Sequence, residues 1–122
     1  MTDKRRSRLE AAGIDTAQAL ERMMGSEALL ERLLDRFLED RNFPSLAAAL
    51  ECGDTDGAVQ AAHTLKGVCG NLSMNGLYRL FTRQVELLRE GDLTRARAMM
   101  EEIAAGYHAV AGAIRGREDE GR

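Results

Sequence analysis

Tryptophan is absent from this 122-residue chain, proline occurs once, cysteine twice, and aromatic residues make up only 4% of the total. Each shortage excludes something. A single proline among many Ala, Leu, Glu and Arg, with few β-branched residues, argues against a sheet and for helices throughout. Cys52 and Cys69 form neither a Cys-x-x-Cys pair nor a metal cluster with nearby histidines, which rules out a disulfide scaffold. Cys69 falls on an apolar helix face and reads as a small core residue; Cys52 falls at a helix end, a position that leaves exposure and oxidation open. No apolar run approaches the ~20 residues of a membrane span, and no hydrophobic signal core follows Met1-Thr2-Asp3-Lys4-Arg5-Arg6. The cytoplasm is therefore the simplest location. A formal charge of −3 gives no general attraction to nucleic acid or anionic lipid. Also missing are a glycine-rich phosphate loop, the kinase motif set and the acidic cluster that holds magnesium for phosphoryl transfer. A chain so equipped draws no phosphate from ATP unaided.

What is present is helical periodicity cut by turn signals. Residues 1–13 carry Lys4, Arg5, Arg6 and Arg8 and read as a basic extension or a frayed helix ending at Gly13. Asp15 begins a short helix through about Met24, with Gln18 placed for a capping box. Ser26 caps the next, whose Leu29, Leu30, Leu33, Leu34, Phe37 and Leu38 make a broad apolar face. Pro44 disfavours helical geometry at Phe43, so a further helix is expected to start there and run to about Cys52. Gly53-Asp54 and Gly91-Asp92 repeat one device, a residue tolerant of left-handed geometry and then an N-cap. These joints delimit helices near 55–72, 75–90 and 92–115. Short joints make neighbours antiparallel, so the expected fold is all-α: an antiparallel four-helix bundle over residues 14–115 with short additional N-terminal helices. Residues 116–122 read as a solvated charged tail. Met23, Met24, Met99 and Met100 read as core filler.

The helix near 55–72 holds the most informative residues. At ~100° per residue, Ala58, Ala62, Leu65, Cys69 and Leu72 fall within roughly ±60° of one direction, while His63 lies about 160° from Leu65. His63 therefore faces water, with Asp56, Gln60, Gly67 and Gly70. Each of those two glycines costs a helix about 1 kcal/mol relative to alanine. Their bare backbone clears a path to the imidazole, unless they serve close helix packing instead. Lys66, three residues on, can swing its ammonium toward an anion held on the ring. An accessible nucleophile, a clear approach and a nearby cation suit a transiently phosphorylated histidine. Val59, near the rim, and Gln60 are candidates for a partner-docking surface; core packing is the competing role for Val59. His108 lacks such surroundings and reads as a surface residue. Asp54-Thr55-Asp56-Gly57 is no calcium loop, since its glycine comes two positions early and Leu65 stands where the bidentate glutamate belongs.

His63-Thr64-Leu65-Lys66-Gly67, followed by Asn71-Leu72-Ser73, resembles the signature of histidine-phosphotransfer (HPt) domains of bacterial phosphorelays. The likeness extends from about Gly13 to at least Asp92. It implies that His63 accepts and donates a phosphoryl group, that Lys66 stabilises it and that Gly67 leaves room for it. It implies no cofactor on this chain, with magnesium supplied by partner receiver domains of response regulators, and a hybrid histidine kinase as a further partner. The family often has Gly at the position of Ser73 and Leu-Glu at Gln84-Val85, which makes Gln84 a candidate support for the His63 ring. Two other readings stand beside this one. One is a helical interaction module that binds a receiver or other signalling protein without chemistry. The other is a kinase dimerisation domain, which would expect an acidic residue after the histidine and an obligate dimer. A chain with helices enough to close its own bundle is expected to be a monomer.

Overall fold

Five helices begin at a Thr, Asp or Ser whose side-chain oxygen accepts an amide hydrogen bond from the first turn. The computed structural model describes residues 1–116 as α1 (Asp3–Ala11), α2 (Thr16–Arg22), α3 (Glu27–Glu39), α4 (Asn42–Cys52), α5 (Thr55–Asn71), α6 (Asn75–Arg89), α7 (Leu93–Ala98) and α8 (Met100–Arg115). Residues 117–122, most of the expected charged tail, lie outside the described residues. The paired joints behave as read. Gly53 and Gly91 adopt φ of 78° and 80°, and Asp54 and Asp92 then accept from the Gly57 and Arg95 amides, each at 3.0 Å. Among the described residues no helix is long and apolar enough to cross a membrane.

The apolar stripes meet in one core. Helix α5 lies between α4 and α6, and α8 closes against α3 and α6. Ala58, Ala61 and Ala62 are buried in α5, and such small residues let neighbouring backbones approach closely. Leu30, Leu34, Phe37, Leu46, Phe81, Leu88 and Ile103 fill the interior, each contributing roughly 1.5–3 kcal/mol by leaving water. Tyr107 of α8 stacks on Phe43 with ring centroids 4.2 Å apart and tilts against Phe37 at 5.0 Å, joining α8 to α3 and α4.

Several expectations change. Residues 1–13 are not a frayed extension. Leu9 is fully buried, and the Arg5 guanidinium donates to the Ala113 and Ile114 carbonyls, both at 2.9 Å, closing the end of α8. Its other nitrogens reach Glu31 on α3 at 2.7 and 3.1 Å. Helix α4 starts at Asn42, two residues before Pro44. The proline is accommodated because first-turn amides have no intrahelical partner to lose. The final helix is two: α7 ends at Ala98, beside the point where Gln84 donates to the Ala96 carbonyl at 3.1 Å. A side chain bonding into the backbone ladder is a recognised cause of such breaks. The capping box at α2 is half made: Asp15 accepts from the Gln18 amide at 3.0 Å, while Gln18 Oε1 is buried without a partner. Met23 is core, as expected, but Met24 is 94% exposed because φ of 56° turns it away from the helix.

Ser73, at the α5–α6 turn, is fully buried with φ of 55°, and its hydroxyl has no partner among the described residues. Glycine occupies such a site without the Cβ penalty. Ser73→Gly is expected to stabilise the fold by about 1 kcal/mol, after allowing for glycine's larger unfolded-state entropy. The urea midpoint should rise with an unchanged slope; a lower midpoint would show that packing of the serine side chain outweighs its strain.

Candidate functional site

The face of α5 that looks away from the core is left open by both neighbours. His63 is exposed in mid-helix, together with Asp56, Gln60 and Gly67. Ala58, Ala62, Leu65 and Cys69, on the opposite side, are fully buried, and Leu72 is nearly so. The division into wet and dry faces is the one the spacing predicts. Behind the site, burial pushes the Cys69 thiol up to about 12, with the Asp40 charge adding to the shift, so Cys69 stays a neutral thiol and a packing residue.

Lys66 is half-buried one turn along, on the side facing α6. Among the described residues no carboxylate forms an ion pair with it. Its Nζ lies 6.0 Å from the centroid of the Tyr78 ring on α6. The two glycines have different roles. A Cβ on Gly67 would meet nothing within 4 Å, leaving open space beside His63. A Cβ on Gly70 would stand 3.1 and 3.2 Å from Tyr78 Cδ2 and Cε2. Gly70 therefore does not open an approach to the imidazole as expected; its bare backbone is the seat of the Tyr78 ring. Close packing, the competing explanation for the glycines, holds for Gly70, while open space is what surrounds Gly67.

Gln84 does not support the imidazole. It is fully buried, and its amide nitrogen is engaged by Ala96 and, at 3.4 Å, by Met100 Sδ. Among the described residues no hydrogen bond reaches the His63 ring. Val59 is half-buried and Gln60 exposed; both line a shallow depression with Leu88, Arg89 and Gly91, where α5 meets the end of α6. His108 is exposed on α8, edge-on to Phe43 and Tyr107 at 6.1 Å, and takes no part in this face. Tyr78 is the residue that sequence reasoning passed over. The available signal was an aromatic residue beside, not on, the apolar stripe of α6, where a bulky ring has no core to fill.

The face can therefore offer a nucleophilic nitrogen, a cation and vacant surface. It has no donor set for a metal: among the described residues no group of three or more His, Cys, Asp or Glu could hold an ion.

The sequence pattern of one protein family, described as Hpt domain, matches residues 28–113. No curated protein and no solved structure matches the chain. The match runs from the first turn of α3 almost to the end of α8 and covers well over half of the sequence, leaving α1 and α2 outside it. The chain belongs to the Hpt domain family, phosphotransfer carriers of two-component systems that have no kinase activity of their own.

Proposed function

We propose that this protein is a phosphorelay intermediate in which His63 accepts a phosphoryl group from the phospho-aspartate of one receiver domain and passes it to another. The observation that carries this reading is the exposed His63 imidazole, with Lys66 one turn on and open space at Gly67. A receiver domain docks over α5, using the rim at Val59 and Gln60. The neutral imidazole attacks phosphorus through Nε2, and the bond from phosphorus to the aspartyl oxygen breaks. The carboxylate leaves with the electron pair, and the Nδ1 proton passes to solvent. Delivery to the second receiver reverses these steps. The receiver supplies the magnesium site; this chain supplies position and one cation, which suits phosphoryl transfer, where little covalent work falls to the protein.

The test is to incubate the chain with phosphorylated receiver domains and follow the label. Acid-labile phosphate on this protein, discharged by a second receiver, is the expected result. Tight receiver binding with no transfer of label would instead identify an interaction module. Lys66→Ala should slow transfer about tenfold while leaving thermal unfolding within measurement error. A variant that transfers at the wild-type rate would remove Lys66 from the mechanism.

A further inference from the structure

We propose that Tyr78 is a positioning residue for Lys66, holding the lysine ammonium beside the His63 face; this rests on the phosphoacceptor reading above. A lysine on a helix surface has a long flexible stem, and its charge samples a wide volume unless something gathers it. Here the gathering group comes from the neighbouring helix. The Tyr78 ring rests on bare backbone at Gly70, where a Cβ would stand only 3.1 Å from it. Gly70 is one turn beyond Lys66 on the same side of α5. From that seat the ring centroid is 6.0 Å from Lys66 Nζ, at the reach of a cation–π contact.

An aromatic face suits this task better than a carboxylate would. It attracts the ammonium through its quadrupole and leaves the N–H donors free for phosphoryl oxygens. A carboxylate in the same place would occupy those donors and repel the incoming phosphate. No carboxylate is paired with Lys66 among the described residues. The Thr82 hydroxyl, one turn beyond Tyr78 on α6, donates to the Tyr78 carbonyl at 2.7 Å. Gly70, Tyr78 and Lys66 thus form one unit: a seat, a ring and a cation. Tyr78 itself is 39% exposed, so replacing it leaves the core intact.

Phosphoramidate, a small phosphoryl donor that releases ammonia as His63 forms its phosphorus–nitrogen bond, tests this without a cognate receiver. Tyr78→Leu is expected to label His63 about fivefold more slowly than wild type, with unchanged circular dichroism. Tyr78→Phe, which keeps the ring, should restore the rate to within about twofold. In a Lys66→Ala background, Tyr78→Leu should cause no further slowing, because the ring then has no cation to hold. The Lys66 ε-methylene protons should also carry a ring-current shift in the NMR spectrum of the wild type, lost in Tyr78→Leu. Labelling of Tyr78→Leu at the wild-type rate, additive losses in the double variant, or an unshifted Lys66 would each overturn the proposal. A wild-type chain that takes no label, from phosphoramidate or from any phosphorylated receiver, would overturn the phosphoacceptor reading and Tyr78's role with it. A labelled wild type with an equally labelled Tyr78→Leu overturns the role of Tyr78 alone.

Discussion

His63→Gln is expected to abolish phosphate acceptance, with acid-labile label from a phosphorylated receiver falling more than about a hundredfold. Glutamine keeps a polar side chain of moderate size and is a good helix former, but it has no nucleophilic ring nitrogen. Since His63 is exposed and makes no hydrogen bond among the described residues, its replacement should move stability by no more than about 0.5 kcal/mol. The loss would then be chemical and not a failure to fold. His108 offers no bypass: it sits on α8 against Phe43 and Tyr107, away from the α5 face. Full labelling of the His63→Gln protein would move the acceptor elsewhere in the chain and end the proposed mechanism.

Arg5→Ala should destabilise the fold by about 3 kcal/mol. The Arg5 side chain is 2% exposed, and one guanidinium serves three helices: it belongs to α1, grips Glu31 on α3 and closes the last carbonyls of α8. Removing it leaves the Ala113 and Ile114 carbonyls without this donor, and unmet buried acceptors carry a desolvation penalty. Glu31 is 22% exposed on its side chain, so water recovers part of the loss, which places the effect at the low end for a buried pair. Lysine cannot reproduce the fork, because an ammonium lacks the planar set of donors that spans a carboxylate and two carbonyls. A urea titration reads the result directly as a lower midpoint. An unchanged midpoint would mean that the Arg5 contacts with Glu31 and the end of α8 add nothing to the stability of the bundle.

The legible parts of this molecule were those written in local spacing. The wet and dry faces of α5 follow from a period of 3.6 residues, and the Gly-Asp joints follow from backbone and capping chemistry confined to a few neighbouring positions. His63, Lys66 and Gly67 could be grouped as candidates because little more than one helix turn carries them all. The rest depended on partners distant in the chain. Arg5 read as part of a basic extension or frayed helix because the carbonyls it closes lie 108 and 109 residues away. Gln84 drew attention as a departure from the family pattern, yet its partners at Ala96 and Met100 belong to the next helices. Gly70 was placed on the right face and given the wrong purpose, because nothing in the spacing of α5 announces a ring arriving from α6. Met24 misled for a different reason: it follows the last regular turn of α2, where a left-handed residue leaves the helical register.

The turn that ends α5 is also an attachment point. The Asp15 amide donates to the Ser73 carbonyl at 3.0 Å, and Ile14 makes an isolated antiparallel bridge with Met74. Ile14, Ser73 and Met74 are all buried, so peeling the N-terminal corner away would strip cover from the foot of the helix that carries His63. Breathing motions at these two places must then be shared, and the amino-terminal helices, though outside the family match, act as a buttress that steadies the imidazole's platform from below.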